Sequence, residues 1–412
     1  MGEPKLRFKA DDGSEFPDWE DKTLGELFTF VTEKNKDSHI NNVITNSAER
    51  GLVPQREYFD KDIAVDGNTK GYTVIRKGDF VYNPRKSASA PFGPFNIYER
   101  DEVGIVSPLY TCLTPYDDEM APYLSWYFKT NRWHPYIVTH GAQSGARHDR
   151  VGMTVALMEG IPVLLPSLPE QRKIADFLSA VDAVIAAQQA EVDAWEQRKK
   201  GVMQKLFSQE VRFKADDGSE FPEWEEKTLG ELGTFTKGAA LSKADISDDG
   251  RPLILYGELY TTYNEVAVHI VRHTEQNVAD RFLSRVGDVL IPTSGETAEE
   301  IATATCVMQE GVVLAGDLYI YRTVDELDGR IASYLLNHSV NKKISNIAQG
   351  KSVVHIQAKE LSKVIMSYPA SLEEQRKIAD CLASMDEVIR KAKDELAKWQ
   401  ELKKGLLQQM FV

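Results

Sequence analysis

The sequence predicts an α+β protein with a pseudo-two-fold internal repeat, in which two globular mixed α/β domains are separated by a long antiparallel two-helix coiled coil. Two pairs of repeated segments predict this arrangement. Arg7–Leu27 returns as Arg212–Leu232 with 19 of 21 positions identical, and Glu170–Asp176 (EQRKIAD) returns as Glu374–Asp380. Because the offsets are 205 and 204 residues, each copy is long enough to bury a core of its own.

The stretches between the repeated blocks differ from each other. Phe28–Pro169 and Gly233–Glu373 have similar lengths but little identity at corresponding positions. Drift after a duplication is one explanation, but drift would also have changed the repeated blocks. We therefore interpret the chain as a constant framework that presents two different recognition surfaces.

Each EQRKIAD segment begins a long helix with a four-three spacing of apolar residues, which is typical of a coiled-coil seam. The predicted interface residues are Ile174, Leu178, Val181, Ile185, Val192, Trp195, Val202 and Leu206 in the first helix, and Ile378, Leu382, Met385, Ile389, Leu396, Trp399, Leu406 and Met410 in the second. Gln188, Lys199 and Lys403 are polar seam positions, which we expect to fix register and orientation. An amphipathic helix lying on its own domain is the alternative, but two seams of equal length favour pairing with each other.

Chain connectivity predicts that the two helices run antiparallel, with one insert at each end. The predicted boundaries are 1–169 for the first domain, 170–210 for the first helix, 211–373 for the second domain and 374–412 for the second helix. Within the inserts, turn residues separate β-like runs at Tyr72–Ile75, Phe80–Asn83, Val286–Pro292 and Val312–Tyr321 from helical runs at Pro122–Asn131 and Arg330–Asn346.

Composition predicts a folded, soluble protein in a reducing compartment. The apolar fraction is 42% and the aromatic fraction 9%, and no run approaches the ~18 apolar residues of a membrane span. The N-terminus is polar and does not resemble a signal peptide. Cys112, Cys306 and Cys381 are too few and too widely spaced for a disulfide framework or a zinc site. We therefore expect a cytoplasmic location.

The formal charge of −14 does not exclude nucleic-acid binding, because it is unevenly distributed. Each 21-residue block contributes −4, whereas the insert Phe28–Pro169 contributes only −1. Local basic clusters therefore remain in the inserts, and clustering decides whether a surface attracts phosphates.

No enzyme motif is complete. Gly350-Lys351-Ser352 resembles a phosphate-binding loop, but Ser345 stands where the first glycine is required, and Lys342–Ala348 is predicted to be a helix rather than a strand. Pro17–Lys22 resembles the acidic-lysine core of metal-dependent nucleases, yet its Asp and Glu lie only two residues apart. We expect no catalytic residues and no metal site, since no cysteine or carboxylate completes a ligand spacing with the histidines His134, His140 and His148.

The order of the segments resembles the specificity (S) subunits of type I restriction-modification systems. An insert and an EQRKIAD helix occur twice, TLGEL begins each insert, and each insert has a Gly-Asp strand, at Lys77–Phe80 and Val286–Val289. The resemblance covers the whole chain. It implies a non-catalytic DNA-recognition subunit with two target-recognition domains, each reading one half of a bipartite asymmetric site, and paired helices that set the spacer.

The resemblance also implies the partners. These are double-stranded DNA, two methyltransferase subunits that dock on the framework, and motor-nuclease subunits for restriction. S-adenosylmethionine, ATP and Mg²⁺ would be used by the partner subunits and not by this chain. A stand-alone enzyme and a protein-only adaptor remain the alternative classes. Methylation or cleavage by the purified chain would favour the enzyme, and partner binding without DNA dependence would favour the adaptor.

Loops with basic and amide side chains are the candidates for DNA contact, because phosphates attract Lys and Arg while bases need hydrogen-bond donors and acceptors. In the first insert the candidates are Asn83, Arg85, Lys86, Gln143, Ser144, Arg147, His148 and Arg150. In the second they are Lys237, Tyr256, Thr293, Ser294, Gln349, Lys351, Ser352 and His355. The Gln143 and Gln349 loops correspond at an offset of 206 residues, which favours a shared role over that of solvated surface loops.

Overall fold

The chain divides into two units, each of which contains segments from distant parts of the sequence. A computed structural model describes residues 4–58, 69–141, 149–350 and 353–411. The first unit comprises Met1–Gln189 with Asp394–Val412, and the second comprises Ala190–Lys393. Each unit therefore combines a mixed α/β domain with parts of both long helices. The predicted α+β class and the internal repeat are confirmed, whereas the predicted domain boundaries stay a prediction.

In the first unit the described strands are β1 (Glu20–Thr23), β2 (Phe28–Phe30), β3 (Val43–Ser47), β4 (Gly51–Pro54), β5 (Thr73–Ile75), β6 (Phe80–Tyr82), β7 (Phe95–Ile97), β8 (Gly104–Val106), β9 (Thr111–Pro115) and β10 (Pro162–Leu165). The helices are α1 (Leu24–Leu27), α2 (Gln55–Tyr58), α3 (Ala121–Phe128), α4 (His134–His140), α5 (Val155–Glu159) and the first part of α6 (Leu168–Phe207). The strands form sheets β2-β9-β6-β7 and β4-β3-β8-β5 and the pair β1-β10. The core contains many aromatic residues, and the ring centres of Phe95 and Phe128 stack 3.8 Å apart.

In the second unit the described strands are β11 (Glu225–Thr228), β12 (Gly233–Lys237), β13 (Arg251–Leu255), β14 (Val266–Ala267), β15 (Arg272–Thr274), β16 (Asp288–Pro292), β17 (Ser294–Gly295), β18 (Thr305–Val307), β19 (Val313–Ala315), β20 (Leu318–Thr323), β21 (Val354–His355) and β22 (Ile365–Tyr368). The helices are the second part of α6, α7 (Leu229–Leu232), α8 (Glu258–Thr261), α9 (Ala298–Ile301), α10 (Gly329–His338), α11 (Asn341–Ile347), α12 (Ala358–Leu361) and the first part of α13 (Leu372–Met410), whose second part belongs to the first unit. The sheets are β12-β20-β16-β18-β14 and β15-β13-β19, with the pairs β11-β22 and β17-β21.

The two domains share a strand plan despite their divergent sequences. β3 pairs with β8 in parallel, as β13 does with β19. β6 lies antiparallel to β9, as β16 does to β20. The framework strand β1 pairs with β10, as β11 does with β22. The internal repeat therefore extends into the inserts, where few residues at corresponding positions are the same.

Two runs that the sequence predicts as single elements are each broken in two. Val312–Tyr321 becomes β19 and β20, because Gly316 adopts a φ of 83° and directs the chain from one sheet to the other. Arg330–Asn346 becomes α10 and α11, which are separated by a turn at Ser339 and Val340. That turn allows Ile344 to be buried in the same core as α10. In both cases long-range packing, and not local propensity, decides where the element ends.

Both long helices begin beside a completely buried glutamate. The side chains of Glu170 and Glu374 are 0% exposed, and each accepts hydrogen bonds from an arginine of the repeated block, Arg7 or Arg212. Trp19 Nε1 also donates to Glu170 at 3.0 Å. The repeated N-terminal block of each unit is therefore attached to the start of that unit's own long helix.

The two long helices are antiparallel, as the connectivity predicts. In the second unit Glu196 Oε1 on α6 lies 2.6 Å from Lys393 Nζ on α13, and Lys199 Nζ on α6 lies 2.5 Å from Asp386 Oδ1 on α13. Residue numbers therefore rise along one helix as they fall along the other, which confirms the predicted orientation.

The predicted interface residues fall into two groups by burial. Ile174, Leu178, Val181, Val192, Leu206, Ile378, Leu382, Met385, Ile389, Leu396 and Met410 are buried, whereas Ile185, Trp195, Val202, Trp399 and Leu406 are half-buried. Ile174 and Leu178 pack into the core of the first unit's domain, and Ile378 and Leu382 into that of the second. Near its start, each helix therefore contributes seam residues to the core of its own domain, and it also contacts the other helix.

Candidate nucleic-acid interface

A tight turn with the same geometry precedes the Gly-Asp strand in each domain. Gly78 and Gly287 have φ values of 94° and 93°, which glycine adopts without steric cost. Asp79 Oδ2 accepts a hydrogen bond of 2.7 Å from the backbone N–H of Arg76, and Asp288 Oδ2 accepts one of 2.9 Å from that of Arg285. Because the two turns have the same geometry, β6 and β16 begin in the same way. The candidate loops come directly after these two strands in the chain.

In the first unit the loop after β6 pairs with a distant segment. Arg85 and Arg150 form an isolated antiparallel bridge. Lys86 N–H donates to the carbonyl of Asp149, and Val151 N–H donates to the carbonyl of Pro84, each at 2.9 Å. We call this contact between residues 83–87 and 149–151 the first loop junction.

The first loop junction contains basic residues from both of its segments. Arg85, Lys86 and Arg150 come together there, and the Arg85 and Lys86 side chains are exposed. Asp149 Oδ2 lies 4.0 Å from Arg85 Nη2. The exposed side chains of Arg85 and Lys86 can bind phosphate oxygens, because Lys and Arg supply charge-assisted hydrogen bonds.

Asn83 has a different environment from the neighbouring cations. Its Nδ2 donates to the carbonyl of Asn46 at 3.1 Å, and its Oδ1 accepts from Arg85 N–H at 3.0 Å. The side chain is half-buried. Because both ends of the amide already have partners, Asn83 holds the shape of the loop that presents Arg85.

The second unit forms the same contact with different side chains. Ser294 on β17 pairs with His355 on β21, and Ile356 N–H donates to the carbonyl of Thr293 at 3.1 Å. Gln349 and His355 exchange backbone hydrogen bonds of 2.9 and 2.8 Å. We call this contact between residues 293–295 and 354–356 the second loop junction. Ser294 is buried, and its Oγ donates to Asp317 Oδ2 at 3.1 Å.

The candidates Lys237 and Tyr256 of the second domain lie near the second loop junction. Tyr256 packs against Gly316, where an added Cβ would lie 2.9 Å from its Cδ1. The neighbouring Asp317 accepts a hydrogen bond from Thr293 N–H through its carbonyl. Lys237 is exposed at the end of β12, opposite Tyr319 on β20. Both candidates therefore flank the β19–β20 turn that supports Ser294.

Six candidates lie outside the described residues. They are Gln143, Ser144, Arg147 and His148 in the first insert, and Lys351 and Ser352 in the second.

Sequence reasoning identified the candidate loops separately and missed that they pair. The residue-number offsets between the two inserts indicated that these loops pair. Arg85 and Ser294 lie 209 residues apart, and Arg150 and His355 lie 205 residues apart, so both members of each pair recur at nearly one period. Applying the repeat period to the inserts as well as to the framework would have indicated two equivalent junctions.

The two segments that resemble enzyme motifs have structural roles here. Glu20–Thr23 of the nuclease-like segment is β1, and Trp19 bonds to Glu170. Helix α11 ends at Ile347, shortly before Gly350, whereas a phosphate-binding loop would follow a strand. Within the described ranges, no group of three or more His, Cys, Asp or Glu side chains could hold a metal ion. In the same part of the chain, no helix combines the length and apolar character needed to cross a membrane.

Comparison with known proteins identifies the family. The family described as "Type I restriction modification DNA specificity domain" matches residues 17–194 and 222–398. The chain is 25% identical over 420 residues to a provisionally named type I restriction enzyme MjaX specificity subunit of Methanocaldococcus jannaschii, with 95% of this chain and 93% of the relative covered. It is 24% identical over 261 residues to the type I restriction enzyme MjaVIII specificity subunit of the same organism, with 59% and 60% covered.

Solved structures share the fold. The S subunit of a type I restriction-modification system from M. genitalium is 14% identical with a TM-score of 0.60, over 100% of this chain and 99% of that one. A chain from a structure concerning complex assembly and conformational transition of the type I R-M system is 17% identical with a TM-score of 0.53, over 96% and 98%. With both halves matched by the family, the protein belongs to the type I restriction-modification DNA specificity subunits.

Proposed function

We propose that this chain is the non-catalytic DNA-recognition subunit of a type I complex, in which each target-recognition domain reads one half of a bipartite asymmetric site. The observation that carries the proposal is the pair of loop junctions. The two domains share one strand arrangement, and equivalent places in it are occupied by the pair Arg85 and Arg150 and by the pair Ser294 and His355. The scaffold is the same while the side chains differ, as expected of two readers with different half-sites.

The side chains also suggest that the two domains make different kinds of contact with DNA. The cations of the first loop junction suit phosphate contacts, which supply affinity and register. His355 offers an exposed imidazole, which suits hydrogen bonds to base edges, whereas Ser294 is buried and its hydroxyl donates to Asp317 within the domain. We propose that the first junction depends more strongly on salt concentration than the second.

The repeated blocks support docking of two copies of one partner, the methyltransferase subunit. Lys9 and Glu15 form an exposed ion pair of 2.7 Å, and Lys214 and Glu220 repeat it at 2.7 Å. The residues of these two hairpins, 9–15 and 214–220, are identical and mostly exposed. Packing does not require identity at exposed positions, whereas two equal binding surfaces for one partner do.

Catalysis in this proposal resides in the partners. Methyltransferase subunits would use S-adenosylmethionine, and motor-nuclease subunits would use ATP and Mg²⁺. The paired helices α6 and α13 would set the spacer between the half-sites, and the complex would act in the cytoplasm.

A domain exchange tests the proposal. The chain is co-expressed with its methyltransferase partner, and the methylated sites of the host genome are mapped before and after Phe28–Pro169 is replaced by another insert. We expect one half-site to change and the other to remain. A change in both half-sites would contradict independent readers. Methylation by the purified chain alone would indicate an enzyme, and an unchanged affinity for partners with no DNA binding would indicate an adaptor.

A further inference from the structure

Lys199 joins the second domain to both long helices. It lies on α6, and only 7% of the residue is exposed. Its Nζ is 2.5 Å from Asp386 Oδ1 on α13 and 2.8 Å from Glu265 Oε2 in the domain. It also lies 5.3 Å from the ring centre of Tyr334 on α10, whose hydroxyl donates to Asp386 Oδ2 at 2.6 Å. One lysine therefore contacts three separate parts of the unit.

Lys403 makes the corresponding connection in the first unit. Lys403 and Asp182 each lie 204 residues from their counterparts, Lys199 and Asp386. Lys403 Nζ on α13 is 2.5 Å from Asp182 Oδ1 on α6 and 5.1 Å from the ring centre of Trp126 on α3. The same three parts are joined, with the roles of α6 and α13 exchanged.

The two domains also contact the helices through their aromatic residues in the same way. Trp126 Nε1 donates to Ser179 Oγ on α6 at 3.3 Å, which parallels the bond from Tyr334 to α13. Tryptophan and tyrosine both present a ring face that attracts an ammonium group. The contact is therefore retained although the residue that supplies it has changed between the inserts.

A lysine at a coiled-coil seam position is unfavourable unless it has partners. Apolar residues would pack better there, and a buried ammonium group without a counterion is strongly destabilising. Lys199 and Lys403 are instead satisfied by an aspartate of the other helix and a ring of the domain. A domain that slid or rotated on the helices would separate these groups and leave the charge unpaired, so the contact favours one position.

We propose that these contacts, here called the lysine clamps (Lys199 with Asp386, Glu265 and Tyr334; Lys403 with Asp182 and Trp126), hold each target-recognition domain at one position along the helices and thereby determine which spacer is accepted. This inference rests on the proposed function. The intervals from Asp182 to Lys199 on α6 and from Asp386 to Lys403 on α13 are both 17 residues. In this proposal, the spacer length is set by the part of each helix that lies between the two clamps.

The two clamps differ in strength. Lys199 has two carboxylate partners, and its side chain is 9% exposed. Lys403 pairs with the carboxylate of Asp182, and these side chains are 26% and 34% exposed. Lys129 Nζ lies 4.0 Å from the same Trp126 ring, so a second cation competes for it. We therefore expect the first domain to be released more easily than the second.

Methylome mapping of the full complex tests the clamps. In cells that express the chain with its methyltransferase partner, Lys403→Met and Lys199→Met should increase methylation at sites whose spacer is one base pair longer or shorter, by roughly tenfold relative to the original spacer. Both half-sites should stay the same. Lys404→Met and Lys200→Met change the next residues, which are exposed and also 204 residues apart, and should keep the original spacer.

Two further variants keep the test decisive. Asp182→Asn and Asp386→Asn remove the counterion with a smaller change of shape and should relax the spacer in the same direction. The exchange Lys403→Asp with Asp182→Lys restores the attraction and should restore the original spacer. A purely structural role would lower methylation at all sites equally. Unchanged spacers in the assembled single variants, or no recovery in the exchange, would overturn the clamps. If the unmodified complex methylates no bipartite site, the proposed function itself fails.

Discussion

Arg7 and Glu170 form a bidentate ion pair around a carboxylate that is completely buried. The distances are 2.8 Å from Nη2 to Oε2 and 3.0 Å from Nε to Oε1. Arg212 and Glu374 repeat the pair, with both distances at 3.0 Å. Because a buried carboxylate is unstable without its counterion, each repeated block and the start of the following long helix act as one structural element.

Removal of the arginine should therefore destabilise the unit strongly. We expect Arg7→Met and Arg212→Met each to lower the free energy of unfolding of their own unit by about 3–5 kcal/mol, since each leaves a buried charge unpaired. Denaturant unfolding measures the change. Lys9→Met is the control, because the pair with Glu15 is exposed, and it should have no measurable effect. Equal effects in Arg7→Met and Lys9→Met would contradict the assignment.

The first loop junction should determine the salt dependence of DNA binding. Arg85→Ala and Lys86→Ala should each weaken binding to all sequences and reduce the slope of log K against log salt by about 1, because each removes one phosphate contact. Lys77→Ala, whose exposed lysine pairs with Asp101 at 2.6 Å, is the matched control. Asn83→Ala should lower stability without changing the slope, since Asn83 bonds within the loop. Slopes unchanged in both cation variants would exclude this junction from the interface.

Two candidates outside the described residues carry the same kind of prediction. We expect Arg147→Ala and Lys351→Ala each to weaken binding or to blur one half-site, depending on whether the side chain contacts a phosphate or a base. Affinity measured at several salt concentrations, together with methylome mapping, separates the two effects. Unchanged affinity, salt slope and methylation pattern would indicate solvated loops.

The second domain should lose stability in acid through Glu265. Burial alone would raise the pKa of this carboxyl, but the hydrogen bond to His338 and the charge of Lys199 lower it from 4.5 to about 2. A depressed pKa contributes stability that is present above pH ~4.5 and is lost as the pH falls towards ~2. The free energy of unfolding should fall by about 3 kcal/mol over this pH range, and Glu265→Gln should make it less dependent on pH. Denaturant unfolding at several pH values tests this, with the exposed Glu310→Gln as the control. An unchanged pH slope in Glu265→Gln would contradict it.

The spacer should shift to one new length when both helices are lengthened together. Insertion of one heptad after Gln188 and one after Ala392, which are 204 residues apart, adds ~10 Å to each helix between the clamps while keeping the seam in phase. At ~3.4 Å per base pair, we expect the accepted spacer to change by about one to three base pairs with both half-sites retained. Methylome mapping measures the spacer.

Lengthening one helix alone serves as the comparison. A heptad inserted only after Gln188 makes the interval on α6 longer than the 17 residues on α13, so both clamps cannot form together. We expect methylation to fall or the spacer to become heterogeneous. A double-insertion protein that assembles and keeps the original spacer would show that other parts of the complex measure the DNA.

The repeat, the two helices and their antiparallel pairing follow from the sequence alone. Identity between Arg7–Leu27 and Arg212–Leu232 is visible without structure, and a four-three spacing sustained over several heptads is a local property of the chain. The polar seam positions Lys199 and Lys403 were also visible, but the sequence suggested only that they set the register of the helices.

Tertiary structure decided the partners of those residues and the shape of the candidate site. Lys199 meets Glu265 only because a strand edge of the domain approaches α6, and Arg85 meets Arg150 only because a segment 65 residues away returns beside β6. Asn83 turned inward because the buried carbonyl of Asn46 requires a donor. Such contacts join residues that are far apart in the chain, where neither periodicity nor local propensity constrains which side chains meet.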